Sequence, residues 1–261
     1  MAKLNDKGTE VRAIQHALGL QINGHFNNAM QSSVITWQRE NNLLPDGIVG
    51  DKSWDVLVNK LKAAEANPIN DKMFFDTIRS LLFKGGLNQK QVDGLNVLLN
   101  ELNGLPINQV AYALATAYHE TAYTMQPIEE YGKGRGRDYG KRLTMSRKPY
   151  PANLPIYYGR GYVQLTWFDN YQKAGQKLNL DLIANPSLAL QPEIAGKIMR
   201  LGMIEGWFTG KKLGDYIGLY WADYVNARRI INGIDKAQKI ANEAAAFELA
   251  LRKAKGGKMI I

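Results

Sequence analysis

The chain has 261 residues, of which 45% are hydrophobic and 22% charged, with a net charge of +9 and no cysteine. This balance is typical of a folded protein of one large or two smaller domains, and it excludes a disulfide framework and thiolate chemistry. No apolar run approaches the roughly 18 residues that a membrane-spanning helix needs, and the amino terminus lacks the apolar core of a signal peptide. We therefore expect a soluble protein that is made and kept in a cytoplasm.

The positive charge is unevenly distributed along the chain. Residues 1–61 hold six basic and six acidic side chains, so the remaining 27 basic and 18 acidic residues carry the whole excess. Seven basic residues and one aspartate lie within KGRGRDYGKRLTMSRK, residues 133–148. Such a cluster favours an anionic partner, for example nucleic acid, anionic lipid or an acidic cell wall, although a solvated loop gives the same pattern. Because no nucleic-acid-binding motif accompanies it, we expect no nucleic-acid partner.

Residues 1–61 have the pattern of a compact module of three helices. Asp6 is placed to cap the first helix, and Asn27 or Asn28 is placed to cap the second. The third helix is predicted to begin at Asp51, in DKSWDVLVNKL. Three short amphipathic helices in about sixty residues are near the lower limit for a self-supporting core.

The module contains an internal repeat. The sequence NGHFN precedes the second helix, and DGIVG lies 23 residues later, before the third. Gly24 and Gly47 are predicted to supply positive φ angles in two related turns. Phe26 and Val49 are predicted to anchor these turns in the core.

Four motifs follow one another through the module: V-x-x-I-Q-x-x-L-G, N-G-x-F, W-Q and L-x-x-D-G-I-V-G-x-x-S-W-x-x-L. Together they resemble the peptidoglycan-binding type 1 domain over nearly the whole module. The resemblance implies a shallow groove for wall peptide or glycan beside one turn, formed by Asp46, Gly47, Ile48 and Gly50. A three-helix spacer without a ligand is the alternative.

Residues 62–70, KAAEANPIN, are predicted to form a linker that tolerates helix at first and is broken at Asn67-Pro68. Residues 71–261 then form the larger domain, which is mostly helical. A long irregular stretch within it, residues 123–160, is rich in Gly, Pro, Tyr and Arg. A loop of this length inside a compact domain is usually functional.

Two glutamates follow the apolar helix predicted at residues 110–118. Its stripe leads to Glu120, in a His-Glu-Thr triplet, and Glu129 comes nine residues later in a turn. A carboxyl at the rim of an apolar face is shielded from water, which favours the protonated form that a general acid needs, whereas a carboxylate on a loop stays ionised. Glycoside cleavage uses two carboxylates in unequal environments, although most glutamate pairs are solvated surface residues.

The segment YYGRGYVQLTWFDNY, residues 157–171, is a candidate binding surface. Val163 and Leu165 alternate with Gln164 and Thr166, which predicts a brief extended segment with the two polar side chains on one side. Three aromatic residues flank it: Tyr162, Trp167 and Tyr171. A polar floor with aromatic walls suits sugar rings, and a buried strand with satisfied polar groups is the alternative.

In chain order, the larger domain reads H-E-T, a glutamate nine residues on, Y-Y-G-R-G-x-x-Q-L-T-W-x-x-N-Y, N-P and I-N-G. This order resembles glycoside hydrolase family 19, in particular its bacteriophage endolysin branch, over roughly residues 71–254. The resemblance implies that Glu120 is the general acid, Glu129 the general base and Thr166 the hydroxyl that holds the attacking water. It also implies a saccharide groove lined by seven residues: His119, Tyr162, Gln164, Trp167, Asn170, Lys197 and Asn232.

The chain departs from the plant chitinases of this family in two respects. Those enzymes place the second glutamate much further from the first and carry disulfides, which weakens a transfer of chitin specificity. Glu130 lies beside Glu129, so either could be the base, and the spacing in the family favours Glu129.

The predicted fold is mainly α: a small three-helix wall-binding domain, then a larger α-helical, lysozyme-like domain with a minor β segment. The predicted function is hydrolysis of the β-1,4 bond between N-acetylmuramic acid and N-acetylglucosamine in bacterial peptidoglycan, with inversion. We expect a monomer that uses no metal or organic cofactor, does not insert stably into membranes and causes bacterial lysis after its release from a host cytoplasm. A chitinase of the same fold, a lytic transglycosylase and a non-catalytic wall-binding protein are the alternatives.

Overall fold

A computed structural model describes residues 1–256 of the chain. It confirms the predicted fold class, because the described residues are mainly helical with one two-stranded sheet. The amino-terminal module contains three helices: α1 (Thr9–Ala17), α2 (Asn28–Glu40) and α3 (Asp51–Ala66). The larger body contains the other seven described helices: α4 (Asp71–Leu81), α5 (Gln89–Glu101), α6 (Ile107–Glu120), α7 (Phe168–Leu178), α8 (Pro192–Glu205), α9 (Leu213–Tyr216) and α10 (Ala237–Ala254). Its strands, β1 (Ile128–Glu129) and β2 (Arg160–Gly161), pair antiparallel.

The internal repeat of the module is built around two buried glutamines. Gly24 and Gly47 have φ angles of 71° and 72°, as predicted. The side-chain oxygen of Gln15 accepts hydrogen bonds from the N–H groups of Asn23 and Gly24, and that of Gln38 accepts from the N–H of Gly47. The predicted anchors of both turns are buried: Phe26 and Val49. The repeat therefore extends into the preceding helices, since the two glutamines are also 23 residues apart.

The prediction that Asp6 caps the first helix is wrong. Lys7 forms a β-bridge with His25, so the chain is still extended after Asp6, and the cap position falls on Gly8. Asn27, in contrast, caps α2 by accepting a hydrogen bond from a backbone N–H of its first turn.

Helix α3 continues to Ala66, so residues 62–66 of the predicted linker are helical, and the helix ends at Asn67-Pro68. The last part of the predicted larger domain, residues 257–261, lies outside the described residues. Among residues 1–256, no helix is both long enough and apolar enough to cross a membrane.

Helix α6 forms the centre of the larger body. The sequence predicts a half-buried stripe, but all residues from Ile107 to Tyr118 except Gln109 are buried, because α10 packs along α6 and the rest of the core surrounds it. A helix that is apolar on all sides is typical of such a position. Glu120 is its last residue and lies where the helix leaves the core.

The predicted extended segment at residues 163–166 is wrong. After β2, the chain turns through residues 162–164, and Leu165 forms a bridge back to Arg160. Gln164 adopts a left-handed conformation with φ of 54°, which an extended strand does not contain. Gly161 begins this reversal with φ of 87° beside the carbonyl oxygen of Ala189, where a side chain would not fit.

Candidate active site

A cavity of about 510 Å³ is formed by the turn that follows β2, the start of α7 and two loops near residues 208–211 and 229–233. Five of the residues singled out in the sequence line it: Gln164, Thr166, Trp167, Asn170 and Asn232. Amides, a hydroxyl and an indole face thus meet in one concave surface, although the turn that carries them is not extended.

Gln164 also connects the cavity to the strand that carries Glu129. Its side-chain nitrogen donates to the carbonyl oxygens of Ile128, at 3.0 Å, and Gly161, at 3.2 Å. Since Ile128 and Gly161 are paired in the sheet, this amide holds both strands at the floor of the cavity.

Glu120 is paired with an arginine that lies 108 residues later in the sequence. Its Oε1 accepts a hydrogen bond from Nη1 of Arg228 at 2.5 Å, and the two side chains are 19% and 4% exposed. Arg228 lies in the 3-10 helix Asn226–Ile230, and the next residue, Arg229, lines the cavity. The carboxyl of Glu120 is therefore fixed by the same short helix that forms one wall of the cavity.

Glu129 is held as a carboxylate. The hydroxyl of Tyr158 donates to its Oε1 at 2.7 Å, Nζ of Lys133 lies 3.4 Å from its Oε2, and Arg160 pairs with it across the sheet. The hydrogen bond from Tyr158, together with the charge of Lys133, holds the pKa of Glu129 below its ordinary value. With 35% of its side chain exposed, this carboxylate is also accessible to water.

Glu130 uses both carboxyl oxygens inside the protein. One accepts from the hydroxyl of Tyr139 at 2.9 Å, and the other accepts from the N–H of Gly159 at 3.1 Å. These contacts hold the loop after β1 against the chain that precedes β2.

The predicted wall-binding turn is shaped by one aspartate. Oδ1 of Asp46 accepts hydrogen bonds from the Gln38 amide, at 3.0 Å, and from the N–H of Ile48, at 2.9 Å. Gly47 is needed for its positive φ, and Gly50 immediately precedes α3. The outer face of the turn is exposed at residues 44–46.

Two family models match separate parts of the chain. Residues 7–57 match the peptidoglycan binding domain, and residues 108–206 match "Chitinase class I", which is glycoside hydrolase family 19. The chain joins a peptidoglycan-binding domain to a family 19 domain. Glu120, Glu129 and the part of the cavity formed by the turn after β2 and the start of α7 lie within the second match.

Individual relatives cover part of the family 19 domain. Basic endochitinase CHB4 of Brassica napus is 34% identical over 119 residues, which are 45% of this chain and 40% of that protein. An endochitinase of Arabidopsis thaliana is 37% identical over 98 residues, 37% of this chain and 35% of that protein. The chain thus spans less than half the length of these two relatives. Chitinase C from Streptomyces griseus HUT6037 has a similar structure, with a TM-score of 0.50 and 25% identity over 70% of this chain and 76% of that chain.

Three residues predicted to bind substrate lie outside the cavity of the family 19 domain. The side chain of Tyr162 is fully buried in the core, because the turn at 162–164 directs it inward, and this corrects its placement in the groove. The predicted aromatic wall at Tyr171 is likewise buried, and its hydroxyl donates to the carbonyl oxygen of Tyr158. Lys197 is exposed on α8, and His119 faces α10 instead.

Sequence reasoning missed two charged residues of the family 19 domain. One is Arg228, the partner of Glu120, for which the pair of arginines before the I-I-N-G motif was the available signal. The other is Glu243 on α10, whose Oε2 lies 3.8 Å from Nδ1 of His119. Burial raises the pKa of Glu243 to about 7 against the opposing charge of Lys239, and burial lowers the pKa of His119. The sequence signal for a buried acid was the spacing of Glu243 and Phe247. Residues four apart lie on the same face of a helix, and Phe247 is in the core.

Proposed function

We propose that this protein is a peptidoglycan hydrolase that cleaves the β-1,4 bond between N-acetylmuramic acid and N-acetylglucosamine. The observation that carries the proposal is a cavity of sugar-binding chemistry, bounded by segments that hold Glu120 and Glu129, in the same chain as a peptidoglycan-binding domain. The amides of the cavity suit sugar hydroxyl and acetamido groups, and Trp167 offers an apolar face to a ring.

In the proposed reaction, Glu120 is the general acid. Arg228 fixes its Oε1, which leaves Oε2 to carry the proton that is transferred to the leaving glycosidic oxygen. Glu129, which Tyr158 and Lys133 keep ionised, removes a proton from a water on the opposite face of the sugar, and Thr166 holds that water. This single displacement inverts the anomeric carbon and requires the two carboxyls to be about 6.5–9.5 Å apart in the substrate complex.

The amino-terminal domain would raise the local concentration of the enzyme at the wall. We place its contact with wall peptide or glycan at the turn of Asp46, Gly47, Ile48 and Gly50. A wall-binding domain before a hydrolase domain also suits a lysin of bacteriophage origin, which is stored in the host cytoplasm until its release and then lyses the bacterium.

The decisive variant is Glu120→Gln, assayed on purified peptidoglycan. Loss of the general acid should lower kcat by about 10²–10⁴-fold while the protein stays folded and still binds the wall. Glu193→Gln, an exposed change on α8, is the matched control and should leave kcat unchanged. If the folded Glu120→Gln protein cleared walls like the parent, the catalytic assignment would be wrong.

Separate variants of the neighbouring glutamates identify the base. Glu129→Gln removes the carboxylate and should lower kcat by about 10²-fold or more. Glu130→Gln keeps one acceptor oxygen for the N–H of Gly159, and its amide N–H can donate to the Tyr139 hydroxyl, so it should retain most of the activity. The opposite order would make Glu130 the base.

Product analysis tests the bond and the reaction type. Mass spectrometry should find reducing N-acetylmuramic acid ends, whereas 1,6-anhydro ends would mean transglycosylation. The endochitinases among the relatives support a second candidate, a chitinase, for which efficient release of N-acetylglucosamine oligomers from chitin would be the mark. Wall binding without any cleaved product would indicate a non-catalytic protein.

A further inference from the structure

The cavity carries positive charge, which the binding of a neutral sugar does not require. Lys211 and Arg229 both line it, and its lining contains no aspartate or glutamate. The hydroxyl of Thr209 donates to the carbonyl oxygen of Arg229 at 2.6 Å, so the loop that carries Lys211 is fastened to the helix that carries Arg229. Two cationic side chains are therefore held on adjoining segments of one wall.

Neither cation is neutralised by the rest of the described chain. Lys211 and Arg229 form no ion pair among residues 1–256, and the one side-chain contact of Arg229 is a hydrogen bond of 3.3 Å from its Nε to Asn226. Arg147, near the same cavity, differs because it pairs with Asp138 and lies over the ring of Trp167. Both unpaired side chains are exposed to solvent and can reach a ligand.

The two adjacent arginines of the 3-10 helix Asn226–Ile230 have different environments. Arg228 is buried and holds Glu120, whereas Arg229 is exposed and lines the cavity. A sugar bound next to Glu120 would thus place its substituents close to a cation that forms no ion pair among residues 1–256.

We propose that Lys211 and Arg229 form a subsite for a carboxylate carried by the sugar polymer, so that the cavity selects an acidic glycan over a neutral one. Carboxylates are the anions of wall glycan, on its peptides or, where no peptide is attached, on the lactyl group of the sugar, whereas chitin has none. Two cations beside a cavity without acids favour such a group by direct charge complementarity. This inference rests on the proposed glycosidase function and adds the residues that recognise the charge of the substrate.

The test compares two substrates that differ only in charge: soluble wall glycan fragments, and the same fragments with their carboxylates converted to methyl amides. The parent should have a KM roughly tenfold lower for the charged fragments, a preference that decreases with added salt. Lys211→Gln/Arg229→Gln should remove that preference by raising KM for the charged fragments alone, with kcat unchanged. Lys212→Gln/Arg135→Gln makes the same charge change outside the cavity and should keep the preference.

A third substrate identifies the source of the carboxylate. Fragments whose peptides have been removed carry only the lactyl carboxylate, which is released when the amide bond to the peptide is cleaved. If the parent still prefers these fragments to their amidated form, the lactyl group is recognised, and if the preference disappears, the peptide carboxylates are.

The inference is overturned if the cavity variant keeps the preference of the parent, or if its KM rises equally for charged and amidated fragments. Neither result affects the proposed function, which the Glu120→Gln variant and the product analysis test separately. The two proposals are therefore separable in one set of assays.

Discussion

Three glutamates of the larger body have different local environments: Glu120, Glu129 and Glu243. Glu120 is mostly buried and paired with Arg228, while Glu129 is accessible and its pKa is lowered by Tyr158 and Lys133. Glu243 is buried, its Oε2 has no hydrogen-bonding partner among residues 1–256, and burial raises its pKa to about 7. The neighbouring groups, and not the residue type, give Glu129 and Glu243 pKa shifts of opposite direction.

The stability of the protein should depend on the ionisation of Glu243. Its pKa is about 7 in the folded protein, compared with 4.5 for an ordinary glutamate such as one in the unfolded chain, so the folded state binds the proton more tightly. The stabilisation is complete below pH 4.5 and is lost as the pH rises through 7. Glu243→Gln cannot ionise, so it should become more stable than the parent by at most about 3 kcal/mol as the pH rises across this window.

Thermal unfolding of both proteins between pH 4.5 and 8 measures this difference. The difference between the two proteins contains the titration of Glu243 together with its effect on His119, which lies 3.8 Å away. Glu193→Gln, on the surface, should follow the parent at every pH. Parallel curves for Glu243→Gln and the parent would mean that Glu243 has no raised pKa.

At the scale of the elements, the position of Glu120 depends on close packing around the end of α6. The turn after α6 passes over α5 at Gly94, where an added Cβ would lie 1.7 Å from the carbonyl oxygen of Met125. The side chain of Gln126 donates to the carbonyl oxygen of Lys90 on the same helix. Helix α5 therefore supports the segment that connects Glu120 with Glu129.

Gly94→Ala should destabilise the protein although alanine is the better helix former. The gain of about 1 kcal/mol in helix propensity is outweighed by an overpacking cost of typically 1–3 kcal/mol or more, because a backbone carbonyl has to move. We expect a lower free energy of unfolding by about 2 kcal/mol and a lower kcat. Denaturant unfolding and the peptidoglycan assay measure the two effects.

Gly86→Ala is the control, since a Cβ there meets nothing within 4 Å and its φ is not positive. It should match the parent in both measurements. A Gly94→Ala protein as stable as the parent would show that the turn after α6 can move without cost.

At the scale of the whole molecule, helix α10 joins the two domains. Glu248 on α10 is fully buried and accepts hydrogen bonds from Arg12 of the amino-terminal module, at 2.7 Å, and from Arg252, at 2.9 Å. Trp54 of the module stacks on Tyr220 of the larger body, with ring centroids 4.4 Å apart. The wall-binding module is thus docked by a buried ionic network and an aromatic contact.

Glu248→Gln should loosen this docking. Burial opposes ionisation, but Arg252 and Arg12 together hold the pKa of Glu248 below its ordinary value. The substitution therefore leaves Arg12 without an ion-pair partner among residues 1–256 and leaves the buried Arg252 with Glu65 alone. Breaking one side of such a network typically costs about 3–5 kcal/mol. Calorimetry should show a lower Tm and separate unfolding of the two domains in place of one transition.

Asp76→Asn removes an exposed carboxylate that pairs with Lys72 and Arg79, and it should leave the Tm unchanged. A Glu248→Gln protein with the Tm of the parent and a single transition would contradict the role of the network.

The sequence by itself determined the helical class, the repeat of Gly24 and Gly47, and the order of motifs that places Glu120 and Glu129 nine residues apart. These features are local, because apolar periodicity, glycine conformation and spacing act within one or two turns of the chain. The sequence pattern was misleading at residues 163–166. The alternation of apolar and polar residues predicted a strand, whereas the chain forms a tight turn in which Gln164 has a positive φ.

Only the tertiary structure decided which residues meet across the chain. Arg228 reaches Glu120 over 108 positions, and Glu248 pairs with Arg12 over 236. Burial also turned Tyr162 into the core and brought Lys211 and Arg229 to one cavity. Such contacts depend on how whole helices pack, since the burial and pairing that fix a charge are set by neighbours distant in sequence.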